Sequence, residues 1–262
     1  MLNRFLPFIL LSLLAYHAVA SQPLPAMEYL SPTNRVRNTT FVIFDLETTG
    51  LKEDRDRVLE IGAVRVTGDR ITARSTWLVN PHIPIPEGVQ RIHGITPEMV
   101  KDAPSFSQVY PRFMHFIGDS ILMSHNARFD ISFLAAEIHR CNLPVPDLAV
   151  LDTLRLFQHA FPKRRSYSLK NLTLDLCPNL SGQTNAAMPS DIPREQRFHS
   201  AGWDAECTAE LLILALGRIQ DDTTVELFEK YCRGRIPLTR PARPDRPPGL
   251  PQTGKSLDAP AR

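Results

Sequence analysis

Two acids, Asp45 and Glu47, close the apolar run "FVIF" in the stretch "FDLETTGL" and are followed at once by Thr48, Thr49 and Gly50. On a strand, residues i and i+2 share a face, so the two carboxylates stand side by side. Like charges at the end of a core strand repel one another and resist desolvation. A divalent cation between them removes the conflict, and ligands that are all oxygen suit magnesium or manganese. The alternative is an ordinary strand end carrying two solvated acids. Two more acids share the oddity. Asp130 in "HNARFD" and Asp204 in "HSAGWDAECTAELL" each lie near the start of a segment with helical apolar spacing. A helix N-terminus favours an anion, so either one alone reads equally well as a dipole partner. Together, a pair on a strand and one acid at the start of each of two helices can converge on a two-metal site, with ions about 3.5–4 Å apart clamping a phosphate during in-line displacement. His199, five residues before Asp204, adds an imidazole, a competent proton acceptor at neutral pH. Its alternative is a surface loop histidine.

The elements that must position these groups follow from periodicity. "TFVIFDL" reads as a fully apolar central strand, and "RVLEIGAVRV" and "ITARSTWLV", joined by the turn signal "TGDR", continue it as an antiparallel meander. A proline-rich segment with short helices comes next, in which Thr96 before Pro97 marks a helix start. Phe106, Val109, Phe113, Phe116 and Ile117 recur at helical spacing, "SILMSH" is a short strand, and Phe129, Phe133, Leu134 and Ile138 mark a second helix. "LAVLDTLRLF" starts as a strand and runs into a helix, Ser168 starts another, and "AGWDAECTAELLILALGRI" and "TTVELFEKYC" are the last two. Strands alternating with helices after a meander predict an α/β fold with a mixed sheet and helices on both faces.

The composition is that of a globular protein: 262 residues, 43% hydrophobic, 22% charged, net charge +2. The ends differ from the body. The uncharged run Phe5–Ala20 after Arg4, with small residues before Ser21, predicts a secretory signal or membrane anchor over residues 1–20, with a linker over 21–39. Residues 237–262 hold 7 Pro and 2 Gly among 26, above the roughly 25–30% at which disorder is expected. That tail and Arg4 carry the positive charge, which leaves the body slightly acidic. Nucleic acid would therefore meet bound cations and local patches such as Lys163–Arg165, with the basic tail adding non-specific attraction. The four cysteines are widely spaced and form no CxxC pair, which argues against a structural zinc site.

In order and spacing, "DLETTG", "HNARFD" and "HSAGWDA" resemble the three motifs of the DEDDh 3′–5′ exonucleases, in particular the group around the proofreading epsilon subunit of bacterial DNA polymerase III. "IHGIT" and "SLKNL" are similar to the same group, and the resemblance spans about Thr40 to Leu216. It implies a ribonuclease H-like fold and an exonuclease domain over residues 40–234, with 235–262 as the tail. It also implies two Mg²⁺ or Mn²⁺ ions on Asp45, Glu47, Asp130 and Asp204, and His199 as general base. The implied partner is nucleic acid with a free 3′ end, single-stranded by preference, and in the replicative relatives a DNA polymerase. Thr48, Thr49 and Gly50 are implied to offer backbone groups to the terminal nucleotide, and Asn126 and Phe129 to contact it by hydrogen bonding and stacking. Gly50 reads equally as a turn residue, Phe129 as core and Trp203 as packing. His93 and His125 lie near the motifs, and Glu60 in "LEIGAV" either partners groups at the site or marks a sheet edge. The apolar leader and the proline-rich tail depart from the epsilon pattern and favour export or tethering over a replisome. A cytoplasmic proofreading subunit and a non-catalytic nucleic-acid binder of the same fold remain the alternatives.

Overall fold

In the structure, a computed structural model, residues 39–146, 148–178, 180, 199–219 and 232–235 are described. The expected leader and linker, the loop after Ser181, the helix expected over "TTVELFEKY" and the tail beyond residue 235 lie outside them. Six strands form one sheet among the described residues: β1 (Thr40–Thr48), β2 (Val58–Thr67), β3 (Arg70–Leu78), β4 (Ile121–Ser124), β5 (Ala149–Asp152) and β6 (Cys232–Arg235). The helices are α1 (Glu87–His93), α2 (Pro97–Val100), α3 (Phe106–Ile117), α4 (Arg128–Arg140), α5 (Thr153–Ala160), α6 (Leu169–Leu176) and α7 (Ala201–Leu216). Among the described residues no helix is long and apolar enough to cross a membrane.

The sheet order is β3-β2-β1-β4-β5-β6. β1, β2 and β3 form the antiparallel meander, β1, β4 and β5 run parallel, and β6 returns antiparallel to β5. Cys232 opens β6 rather than ending a helix, and Arg235 belongs to this strand rather than to the tail. "CRGR" has no apolar alternation to announce a strand. It is recognisable only because β5 presents an edge for it to pair with.

β1 is apolar throughout because both its faces are covered. Phe41 and Ile43 meet α5 and α7 on one side, while Val42 and Phe44 meet α3 and α4 on the other. The helix α7 is buried almost all round, through Ala205, Cys207, Ala209, Leu211, Leu212 and Ala215, as a helix central to the core must be. On the opposite face Phe113 and Phe116 pack edge-on to Trp77. Chain order reverses direction across the sheet at β1, and in open α/β sheets ligands collect beyond the carboxyl ends of strands at such a point. Asp45 and Glu47 lie at that end.

Candidate active site

Continuing the alternation of Phe41 and Ile43, Asp45 and Glu47 project from the face of β1 that α7 covers. A bulge after Glu47, where the pairing steps from Glu47↔Glu60 to Thr48↔Val58, ends the regular ladder. The turn that follows is closed by its own threonines. Thr48 Oγ1 donates to Gly50 O at 2.6 Å, and Thr49 Oγ1 accepts from Arg57 N at 2.9 Å. Both hydroxyls are thus engaged within the protein. A Cβ on Gly50 would lie 2.3 Å from Asp56 Oδ2, which itself accepts from Lys52 N at 2.9 Å. A side chain at Gly50 would have to displace the Asp56 carboxylate that braces this turn.

Asp130 reaches the same place from the first turn of α4. Its Oδ1 accepts from Leu46 N at 3.2 Å, between the two acids of β1, and its Oδ2 from the buried hydroxyl of Ser124 at 2.6 Å. The turn before α4 is held by Asn126 N, which donates to Asp152 Oδ1 at 3.0 Å, the same oxygen that caps α5 through Leu154 N. Asn126, at φ 60°, is exposed, whereas Phe129 is half-buried against Phe133 with ring centroids 4.7 Å apart and joins the α4 core.

From the other side α7 brings Asp204 in its first turn, where Asp204 Oδ2 accepts from His199 N at 3.1 Å. One ligating atom each from Glu47, His199 and Asp204 lie within 4.8 Å of one another. The imidazole of His199 is exposed, on a residue in the left-handed region at φ 71°. Trp203 is 1% exposed and packs in the core, so the packing alternative holds for it.

The charges are in open conflict. Burial, then the charges of Asp130, Asp204, Glu47 and Glu60, hold the Asp45 carboxyl well above the usual range. Burial first, then Asp204, push Glu47 up to about 9. Burial raises Asp130 to about 7 against the opposing hydrogen bonds from Ser124 and Leu46, and raises Asp204 to about 7 against that from His199. Four such groups cannot all ionise together without a counter-charge. The donor set fits a divalent cation for a second reason: Asp204 Oδ1 is buried and has no hydrogen-bond partner among the described residues.

Sequence reasoning missed Ser124 and left the roles of His93, Glu60 and His125 open. Ser124 gave no signal, since serine often ends a strand. His93 is buried at the end of α1, where Nδ1 accepts from Ile95 N at 3.0 Å. Burial lowers its pKa, and the Thr48 backbone and His199 lie within electrostatic reach, so it flanks the site. Glu60 is not at a sheet edge, because β2 lies between β1 and β3. Its Oε2 accepts from Ala201 N at 2.8 Å. His125 is structural: its Nε2 donates to Tyr167 O at 3.0 Å and its Nδ1 lies 3.1 Å from Thr153 Oγ1, which ties the segment before α6 to the turn before α4.

The family profile described as Exonuclease matches residues 42–212. The PolC-type DNA polymerase III of Caldanaerobacter subterraneus subsp. tengcongensis is 36% identical over 181 residues, 69% of this chain but 12% of that one. The DNA polymerase III subunit epsilon of Treponema pallidum is 40% identical over 139 residues, 52% of this chain and 65% of that one. The chain therefore spans less than two thirds of either relative. Among solved structures, exonuclease X in complex with 5′-overhanging duplex DNA superposes with a TM-score of 0.55 at 28% identity, covering 71% of this chain and 98% of that one.

Proposed function

This chain belongs to the exonuclease family and carries a 3′–5′ exonuclease domain of ribonuclease H-like fold, and from that premise we propose that it removes nucleotides one at a time from the 3′ end of a nucleic acid. The family uses divalent metal ions. In this reading Asp45, Glu47, Asp130 and Asp204 hold two Mg²⁺ or Mn²⁺ ions. Bound there, the ions would supply Lewis-acid stabilisation of the charge on the phosphate and on the departing oxygen. The observation that carries the reading is the convergence of these carboxylates from β1, α4 and α7, with the unsatisfied Asp204 Oδ1 among them.

The protein's own groups do the rest. Leu46 N and Ser124 Oγ fix the orientation of Asp130, and His199 N fixes that of Asp204. The His199 imidazole takes a proton from the attacking water. The water oxygen bonds to phosphorus as the bond to the 3′ oxygen of the preceding nucleotide breaks, and that oxygen leaves with a proton from solvent. The products are a nucleoside 5′-monophosphate and a chain one residue shorter. With the Thr48 and Thr49 hydroxyls engaged internally, the backbone of this turn is what remains for the terminal nucleotide, and the reading assigns to exposed Asn126 a hydrogen bond to it.

The test is incubation of the purified chain with 5′-labelled single-stranded and recessed-3′-end DNA and RNA, with Mg²⁺, Mn²⁺ or chelator. The expected result is a cation-dependent ladder shortening from the 3′ end, with mononucleotide products. Binding without shortening would favour the non-catalytic alternative. The same reading assigns Phe5–Ala20 to export or tethering, on the sequence alone, and N-terminal mass spectrometry of the native protein tests that assignment.

A further inference from the structure

Glu60 presents a puzzle that the exonuclease reading leaves unsolved. It is 7% exposed, stands opposite Glu47 in the β1–β2 pairing, and its charge acts on Asp45, Glu47 and Asp204, each already disfavoured as an anion. A fifth carboxylate in a crowd of four worsens the repulsion unless it has a partner of its own. That partner is backbone. Ala201 N is one of the donors that a helix start leaves without an intrahelical acceptor, and the N-cap residue, Ser200, makes no side-chain capping hydrogen bond. Glu60 Oε2 satisfies it at 2.8 Å from a strand 141 residues earlier in the chain.

The consequence falls on the residues just ahead of α7. His199 is a non-glycine residue in the left-handed region at φ 71°, a conformation that persists only when its surroundings impose it. One residue, Ser200, separates it from the N–H that Glu60 holds. The turn is fixed at three points: Ala201 N on Glu60, Asp204 N on Ser200 O at 2.9 Å, and His199 N on Asp204 Oδ2. Asp204 lies within the helix and keeps its place through helical bonds and the α7 core. His199 lies outside the helix and depends on the turn.

We propose that Glu60 is a positioning residue that sets His199 in place by capping α7 across the sheet, without touching cation or substrate. This rests on the reading of His199 as general base. Gly62, on the same face of β2, serves the same docking, since a Cβ there would lie 2.1 Å from the Ala201 carbonyl. A direct ligand role for Glu60 is disfavoured, because its Oε2 is engaged by Ala201 N.

The experiment compares Glu60→Leu, Glu60→Gln, His199→Ala and Glu60→Leu/His199→Ala in the full chain. One readout needs neither cation nor substrate: the histidine ring resonances of isotope-labelled protein in chelator, with the His199 signal identified by its loss in His199→Ala. Glu60→Leu is expected to shift or broaden the His199 signal and leave that of His125 in place, while Glu60→Gln, which keeps an acceptor, resembles wild type. On labelled oligonucleotide with Mg²⁺, Glu60→Leu should lower kcat about 10–100-fold with KM within about threefold, as loss of an orienting partner does. In the His199→Ala background the same substitution should change kcat by less than about twofold, because its effect runs through His199. Glu60→Asp, which keeps the charge but withdraws the acceptor, is run in parallel and serves if Glu60→Leu does not fold. An unmoved His199 signal, a Glu60→Gln as slow as Glu60→Leu, or an undiminished loss in the His199→Ala background overturns the proposal. Absence of mononucleotide release by wild type would instead sink the exonuclease reading, and the resonance comparison would still decide whether Glu60 holds His199.

Discussion

Replacing Asp204 by asparagine is expected to stabilise the cation-free protein while abolishing the stabilisation that a cation confers. The amide oxygen of Asp204→Asn can still accept from His199 N, as Asp204 Oδ2 does at 3.1 Å, so the substitution removes charge with little change of shape. An aspartate held at about 7 instead of 3.8 weighs against the folded state by about 4 kcal/mol once both states are ionised. Neighbouring carboxyls take up protons in the wild type and relieve part of this, so the expected gain is about 1–3 kcal/mol, or roughly 3–9 °C in Tm. The sign follows from the direction of the shift. The folded protein keeps the Asp204 proton between 3.8 and about 7 while the unfolded chain has lost it, so wild-type stability falls as pH rises through that window. The advantage of the variant is absent below the window, grows across it and is constant above it. A saturating cation reverses the order, because binding to the folded state adds RT ln(1 + [L]/Kd) to the wild type and little to a variant lacking a ligand. Thermal melts of both proteins in chelator and in saturating Mg²⁺, at about pH 5 and about pH 8, read all of this. A wild type more stable than Asp204→Asn in chelator at the higher pH, or equal Mg²⁺ stabilisation of both, refutes the reasoning.

His199→Ala should lower kcat about 10²–10⁴-fold while the Mg²⁺-induced rise in Tm is retained; a wild-type rate in single-turnover assays would transfer the proton to another group. Asp130→Ala should be about 1–3 kcal/mol less stable than Asp130→Asn in urea titrations in chelator, because the amide keeps an oxygen that accepts from Leu46 N and an NH2 that can donate to Ser124 Oγ, whereas alanine keeps neither; equal midpoints would show that those bonds do not hold the site. Gly62→Ala should cost about 2–3 kcal/mol by driving a methyl into the Ala201 carbonyl, and should slow turnover as α7 shifts; an unchanged Tm would mean that β2 and α7 separate at no cost.

The parts of the site that could be read from the sequence are those fixed by local periodicity. Asp45 and Glu47 share a face because a strand repeats every two residues, and the run "FVIF" ahead of them marks a strand covered on both sides. Asp130 and Asp204 could be placed in first helical turns because apolar spacing begins beside each. The meander followed from "TGDR". What escaped was set by which element lies against which. Glu60 was visible as a charge in an apolar strand, but its partner Ala201 N is known only once α7 is laid over β2. Ser124 and His93 join the site through the parallel β1–β4 pairing and the return of α1 past Thr48; Ser124 leaves no trace in local pattern, and His93 was visible only as a histidine near the motifs. β6 is short, polar and glycine-bearing, and exists as a strand through β5 alone.

The same division explains how a chain can tolerate so much repulsion at one point. Phe41, Val42, Ile43 and Phe44 are fully buried on the two faces of the strand that carries the acid pair, and each contributes about 1.5–3 kcal/mol relative to exposure. Together they outweigh the roughly 4 kcal/mol that a single misplaced carboxylate such as Asp204 withdraws. The unfavourable energy gathers where the strand leaves the core, at Asp45 and Glu47. There a divalent ion would convert repulsion into binding energy. On this argument the apolar run and the acids that follow it are one device, since only a strand so firmly held could keep like charges close enough to bind a cation.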